Sequence, residues 1–463
     1  MAKTISPLEC FFSPKSVAVI GASRTQGKIG NVVLSNFVRG FRGKIFAVNS
    51  SGGETFGLPL YTSIKSVKEP IDLAIVCVPA TAVPKVVQEC GQKKVNCVTI
   101  ISAGFQEVGN EKVSRELEKV LKQYPKMKVM GPNCLGVLDS KSGVDMLFLP
   151  QERLGRPRKG VTSFISQSGA LGSAILDWDA WKGYGINKFV SYGNATALDE
   201  SDLLDYLSND SSSKVVVAYL EGVKNGNKFF KACQKVSSNK PLICIKGGQS
   251  EEGSKAAHSH TAALAGNAKV YSGVFAQTNV VEAHSMEEVF DFARIFANEP
   301  APKGNKVQII TDGGGYGVLA ADAAAETGLK LAEMKPESIA EVKKVSPPYA
   351  VLRNPMDLTG DADNARYKAA IDAALKDENV DMLLLIVLFQ IPALDEKIVQ
   401  ELSQELKKRS KPVVVMSAGG KFSETQRQLL EENGITTFTS PLDAAKALKA
   451  LSSYYLKKKR AAV

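Results

Sequence analysis

The sequence predicts an α/β fold of three doubly wound domains, and three observations carry that prediction. Short β-rich runs alternate with helical stretches, the pattern of βαβ units built around a parallel sheet. Two Pro- and Gly-bearing stretches, Leu154-Gly-Arg-Pro-Arg-Lys-Gly160 and Asn298-Glu-Pro-Ala-Pro-Lys-Gly-Asn305, interrupt the alternation and read as linkers. The 463 residues also exceed the roughly 250–300 at which a single core stops growing. The expected domains are residues 1–150, 160–297 and 305–458.

In the first domain the predicted strands are Val17–Gly21, Ile45–Asn49, Leu73–Pro79, Val98–Ser102 and Lys128–Gly131. The second domain places them near Thr162–Ile165, Lys188–Ser191, Val215–Leu220 and Leu242–Lys246, and the third near Val307–Ile310, Leu383–Phe389 and Val413–Ser417. Ligands of such sheets sit outside the carboxyl ends of the strands. The second and third domains echo each other, since each opens with a strand running into a Gly-bearing turn and a helix: Ser166-Gln-Ser-Gly-Ala170 and Thr311-Asp-Gly-Gly-Gly-Tyr-Gly317.

Composition narrows the function classes. Apolar residues make up 44% and charged residues 23%, the balance of a globular protein. The longest uninterrupted apolar run, Met382–Phe389, has eight residues, enough for a strand buried on both faces and too few to cross a bilayer. The N-terminus lacks a secretory pattern, so no membrane association and a cytoplasmic location are expected. The formal charge of +10 is dispersed and not interleaved with aromatic residues, which argues against nucleic acid as a partner. The seven cysteines, several in strand-like runs such as Cys77, Cys97 and Cys244, read as small core residues in a reducing compartment. Cys134 is the one thiol to weigh as a nucleophile.

Three stretches carry candidate chemistry. Gly21-Ala-Ser-Arg-Thr-Gln-Gly-Lys-Ile-Gly30 follows the first strand and precedes a helix, so backbone amides and a helix N-terminus can approach a phosphate, with Lys28 adding a cation. Its spacing is not Gly-x-Gly-x-x-Gly, and the second strand ends at Asn49 where a dinucleotide site needs a carboxylate; both weaken an NAD reading. Two of the three histidines, His258 and His260, lie in a Gly/Ser/Ala-rich segment after a strand. That is a setting for an exposed imidazole acting as a nucleophile, with metal binding as the alternative. Glu221, ending the strand Val215–Leu220, is the candidate to orient the imidazole. The turns at Ser166–Gly169 and Gly313–Gly315 offer helix N-termini to a phosphoryl group.

With these motifs in this order, the chain resembles the α subunit of archaeal-type ADP-forming acetyl-CoA (acyl-CoA) synthetases, relatives of succinyl-CoA synthetase. The resemblance runs from Phe12-Ser-Pro-Lys-Ser-Val-Ala-Val-Ile-Gly-Ala-Ser23 to Ser440-Pro-Leu-Asp-Ala-Ala-Lys-Ala-Leu448. It implies a Rossmann-like CoA-binding domain followed by two flavodoxin-like CoA-ligase domains. Ser259-His260-Thr261 matches the family's phosphohistidine motif, so His260 inherits the catalytic role with Glu221 beside it. Gly21, Ala22, Ser23, Lys28, Asn49, Val78, Pro79, Ser102, Ala103, Gly104 and Asn133 then fall on the CoA and acyl site. Ser166, Gln167, Ser168, Gly169, Gly313, Gly314 and Gly315 fall on the phosphate site, and no metal ligand is implied on this chain.

The resemblance also implies the reaction. Acyl-CoA, phosphate and ADP are converted reversibly to a carboxylic acid, CoA and ATP through acyl phosphate and phosphohistidine. Magnesium and ADP or ATP would be held by an ATP-grasp β subunit in an α2β2 assembly. Three positions depart from the family's pattern: Ala262, Asp312 and Gln249. Asp312 places a carboxyl beside the third domain's glycine run, where a negative charge opposes phosphate binding unless it is offset or turned away. Asn354-Pro-Met-Asp357 resembles a further family motif whose role the sequence does not explain. The alternative readings are a CoA-binding sensor or scaffold with a degenerate ligase fold, and an NAD-dependent oxidoreductase.

Overall fold

A computed structural model describes residues 6–250, 252–253, 267–394 and 397–461. The chain divides into two compact units, Met1–Ala283 and His284–Val463. Among the described residues no helix is long and apolar enough to cross a membrane.

The first unit holds two sheets. The first is formed by β1 (Ser16–Ile20), β2 (Lys44–Val48), β3 (Glu54–Thr55), β4 (Leu58–Tyr61), β5 (Leu73–Val76), β6 (Cys97–Ile100) and β7 (Lys128–Met130), in the order β3-β4-β2-β1-β5-β6-β7. All pairings are parallel except the β3–β4 hairpin. β1 and β5 are buried along their whole length, as parallel strands covered on both faces should be, which is why they read as unbroken apolar runs. The order reverses at β1, with β2 on one side and β5 on the other. That opens a crevice at their carboxyl ends.

The second sheet contains β8 (Gly136–Asp139), β9 (Arg158–Ser166), β10 (Gly185–Ser191), β11 (Val215–Leu220), β12 (Leu242–Lys246) and β13 (Val281–Ala283), in the order β13-β12-β11-β9-β10-β8. β8 follows the first sheet directly in sequence yet pairs antiparallel with β10, Val137 facing Val190. The segment before β1 also reaches the second sheet's helices: Phe12 stacks on Tyr206 at 4.6 Å, and the Tyr206 hydroxyl donates to Glu9 at 2.9 Å. One apolar cluster accordingly runs from Phe11 and Val33 through Val137 to Leu204 and Phe275.

The second unit contains β14 (Lys306–Thr311), β15 (Lys330–Leu331), β16 (Met356–Asp357), β17 (Met382–Ile386), β18 (Val413–Met416) and β19 (Thr436–Phe438). Its sheet runs β15-β14-β17-β18-β19, with β16 added on β14. Glu299, fully buried, binds Arg409 through two 2.7 Å contacts and accepts the Val413 amide, fixing the start of β18.

Three expectations change. Cys97 is not a free core thiol: it is bonded to Cys10, with Cα atoms 6.0 Å apart, tying the N-terminal segment to β6. The basic stretch read as linker up to Gly160 is already strand from Arg158, because Gly160 has no side chain and lies against the backbone of Gly185 at the irregular start of β10. The run Leu383–Phe389 leaves the sheet after Ile386, where the Leu388 amide donates to the Asp312 side chain.

Candidate functional site

The carboxyl ends of the first sheet form one hydrogen-bonded rim. Gly21, at φ +95°, lies so close to the Cys77 carbonyl that a side chain there would collide with it. Its amide and that of Ala22 both donate to Val48, and Asn49 donates its side-chain amide to the Ala22 carbonyl at 2.7 Å. Asn49 therefore shapes the first turn from the neighbouring strand. Further along, the Ser102 hydroxyl donates to Val78 at 2.5 Å, and the Asn133 amide donates to Ser102 at 2.9 Å. Ser23 is partly exposed, while Lys28, Pro79 and Ala103 are exposed beside this rim.

Helix Ile29–Gly40 begins directly after Lys28, and Gly30 is buried against the Gly21 carbonyl with no room for a Cβ. Sequence reasoning did not single out three side chains that the fold brings here. Arg24 reaches across the turn to within 3.4 Å of the Ser51 hydroxyl and lies over Gly53. Glu107 accepts the Gly104 and Phe105 amides and the Asn194 side chain, and Asn133 donates to that same Asn194 at 3.2 Å. Burial opposes ionisation of Glu107, but those amide donors hold its carboxyl below the usual range. The signal in sequence was slight, since Asn194 lies in the second sheet's half of the chain.

Cys134 is buried, its thiol donates to the Ile100 carbonyl, and burial pushes its pKa up to about 12. It has no thiolate to offer at neutral pH.

The second constellation sits at the carboxyl ends of β9, β11 and β12. Glu221 follows β11 and is 6% exposed. Gln167, which follows β9, accepts the Glu221 amide at 2.7 Å and the Gly222 amide at 3.0 Å through one side-chain oxygen. The Tyr219 hydroxyl hydrogen-bonds the Glu221 carboxylate; burial first, then that charge, pushes the phenol up to about 12, so it stays a neutral donor. Ser166 is buried and donates to the Ser168 carbonyl, while Ser168 caps helix Gly169–Trp181 by accepting the Leu171 amide. The two sequence-predicted groups Glu221 and Ser166–Gly169 are thus brought together. His258, His260 and Ala262 lie outside the described residues; Gln249 is exposed.

In the second unit Gly313 caps helix Gly314–Thr327, with Gly314 and Gly315 exposed at its first turn. Asp312 is turned away from that turn: it is 2% exposed, both oxygens accept the Leu388 amide, and Tyr367 hydrogen-bonds it. Burial raises its pKa to about 6. The carboxylate of Asp357 instead lies beside Gly314. Asn354 acquires a structural role, because its side chain accepts the Ile309 amide and donates to Val307 and Ala332, stitching the edge of β14.

Comparison with known proteins agrees with this architecture. Residues 15–140 match the CoA binding domain family, 159–296 the succinyl-CoA ligase like flavodoxin domain and 307–462 the Ligase-CoA domain. The chain is 42% identical to the alpha subunit of acetate–CoA ligase [ADP-forming] I of Pyrococcus furiosus, over 96% of this chain and 97% of that one. It is 40% identical to acetate–CoA ligase [ADP-forming] I of Archaeoglobus fulgidus over 96% of this chain, which spans 64% of that longer one. Among solved structures, a dinucleotide-forming acetyl-coenzyme A synthetase 1 of Ca. Korarchaeum cryptofilum, in complex with phosphate and ADP, superposes with a TM-score of 0.92 at 36% identity, covering 98% of this chain and 97% of that one. The three matched domain families and the near full-length similarity converge on one conclusion: the chain belongs to the alpha subunits of the ADP-forming acetate–CoA ligases.

Proposed function

We propose that this chain binds acyl-CoA at the first sheet's rim and carries phosphate on His260, as the alpha half of a ligase that makes ATP from acyl-CoA, phosphate and ADP. The observation that carries the reading is the Glu221 carboxylate, buried and positioned by Gln167 and Tyr219 at the end of the strand beside β12, whose chain continues into Ser259-His260-Thr261. A fixed carboxylate accepting one imidazole N–H leaves the other nitrogen basic and nucleophilic.

In the first step a phosphate oxygen attacks the thioester carbonyl, the C–S bond breaks, and CoA leaves as thiolate and takes a proton. The imidazole nitrogen of His260 then attacks phosphorus and the P–O bond to the acyl group breaks, releasing the carboxylic acid. Amides at Ser166–Gly169 supply donors for the phosphoryl oxygens, and the turn at Gly313–Gly315 is by itself a second helix N-terminus able to hold phosphate. Phosphohistidine next donates its phosphoryl group to ADP held with magnesium by an ATP-grasp β subunit in an α2β2 assembly. The domain division 1–150, 160–297 and 305–458 assigns CoA to the first domain, the histidine to the second and further phosphate donors to the third.

Labelling with radioactive phosphate, in the presence of acetyl-CoA and the partner subunit, tests the reading. Wild-type protein and His258→Ala take up label, and His260→Ala does not. Equal labelling of the His260 variant overturns it. A CoA-binding scaffold, by contrast, binds CoA and takes up no label at all.

A further inference from the structure

The turn after β10 carries Gly193, Asn194 and Ala195 from the second sheet onto the first sheet's rim. The Asn194 amide donates to the Pro132 carbonyl at 3.0 Å, and the Thr196 amide to the Gly131 carbonyl at 3.2 Å. Gly193 lies so close to the Pro132 and Asn133 carbonyls that a side chain there would collide with both. Seated this way, the Asn194 side chain joins two parts of the rim. Its Nδ2 donates to Oε2 of Glu107 at 2.6 Å, and its Oδ1 accepts from the Asn133 side chain at 3.2 Å. The other Glu107 oxygen accepts the Gly104 amide at 2.6 Å and the Phe105 amide at 3.1 Å.

The same stretch of chain meets the Ser166–Gly169 turn. The Leu135 amide donates to the Ser191 hydroxyl at 3.2 Å, and a side chain on Gly169 would touch Leu135. From the other side Lys224, shortly after Glu221 in sequence, donates to the Asn194 and Ala195 carbonyls at 3.0 and 2.9 Å. Asn194 therefore stands where the Gly104 turn and Asn133 meet the elements that carry Ser166–Gly169 and Glu221.

We propose that Asn194 is a positioning residue for the step in which phosphate attacks the thioester: it fixes the Gly104 turn and Asn133, on the CoA side, in register with the Ser166–Gly169 turn, on the phosphate side. This rests on the reading of those turns as the acyl-CoA and phosphate sites. Attack on the carbonyl requires the reacting atoms within about 3–3.5 Å, and a misplacement of about 1 Å can cost roughly a hundredfold in rate. Asn194 acts through Glu107 and Asn133, so its loss bears on alignment and not on the grip on CoA.

The polarity of the links dictates which replacements work. A carboxylate only accepts, so the group facing Glu107 must donate, and Asn194 does so while accepting from Asn133. Asn194→Asp sets one carboxylate against another and breaks the link. Glu107→Gln is milder, because turning over the Asn194 and Asn133 amides restores a donor–acceptor match at each contact. In Glu107→Gln/Asn194→Asp the hydrogen bond simply reverses: the new amide at position 107 donates to the new carboxylate at 194, which still accepts from Asn133.

The experiment follows phosphate-dependent release of CoA from acetyl-CoA, with partner subunit, ADP and magnesium present, at about pH 8, where both carboxyls are ionised. Titration calorimetry with free CoA accompanies it. Asn194→Asp and Asn194→Ala should each lower kcat roughly tenfold or more. Affinity for CoA should stay within about twofold, since the contacts of Asn194 do not include Gly21–Lys28 or Asn49. Glu107→Gln should lose less than about threefold, and the double variant should return to about the level of Glu107→Gln. Should Asn194→Asp fail to fold, Asn194→Ala carries the same comparison of kcat with affinity. Wild-type kcat in the Asn194 variants overturns the role of Asn194 alone. So does a parallel loss of CoA affinity, which marks a merely structural part, or a double variant no faster than Asn194→Asp. Absence of phosphate-dependent CoA release in the wild type sinks the functional reading and this inference with it.

Discussion

A single oxygen, Oε1 of Gln167, accepts the backbone amides of both Glu221 and Gly222, at 2.7 and 3.0 Å. The turn that presents the candidate catalytic carboxylate is therefore held from the adjacent strand and not by its own loop. Gln167→Ala leaves two buried donors unmatched, each costing roughly 1–3 kcal/mol. Urea denaturation should show a loss of about 2–4 kcal/mol. Histidine labelling should slow as well, because Glu221 loses its support.

Asp312 gives a stability change with a defined sign. Its folded-state pKa, raised to about 6 by burial, lies above the roughly 3.9 of an unfolded aspartate. The folded protein therefore holds this proton more tightly than the unfolded chain, and stability falls as pH rises from about 4 through about 6. Above that window the full penalty applies, on the order of 3 kcal/mol. Asp312→Asn should be more stable than wild type near neutral pH and nearly equal to it at about pH 4. Urea midpoints at the two pH values check this; equal differences at both would mean that the carboxyl does not titrate as its burial demands.

The ion pair Glu299–Arg409 is buried on both sides, at 0% and 8% side-chain exposure. Arg409→Met strands a carboxylate in the core and should cost about 3–5 kcal/mol. Glu299→Met/Arg409→Met should cost less than the sum of the two single changes, as a double-mutant cycle by chemical denaturation would show.

Gly30→Ala inserts a methyl group into the Gly21 carbonyl. Backbone cannot give way as a flexible side chain can, so helix Ile29–Gly40 must lift from the β1 turn. A loss of roughly 1–3 kcal/mol or more in stability is expected. At least tenfold weaker CoA binding by titration calorimetry should accompany it.

Most strands were legible because each is a compact apolar run covered on both faces: Val215–Leu220 is strand β11 in full, and Leu242–Lys246 is β12. The short edges were not legible. β8, β13 and β19 have four, three and three residues, too few to show a period, and their pairing depends on a sheet assembled elsewhere. The position of Glu221 at a strand end was readable. Its supports were not, since nothing in Ser166-Gln-Ser or in Tyr219 announces that they meet it; strand order alone brings them there. For Asp312, sequence named a charge beside the glycines, and only the fold revealed that its carboxyl faces Leu388 and Tyr367.

The strand that leaves the first sheet's sequence to complete the second has a consequence for how this protein can be divided. A cut in the stretch between β8 and β9 separates the two halves by sequence, yet carries Gly136–Asp139 away from β10. The downstream fragment would expose a bare row of backbone donors and acceptors along β10, a template for pairing with other chains. A histidine-bearing half prepared alone should therefore begin before Gly136, and an excised half that starts later should aggregate. The first two sheets form one compact unit, and the edge strand Gly136–Asp139 is the piece of backbone that a cut between them would remove.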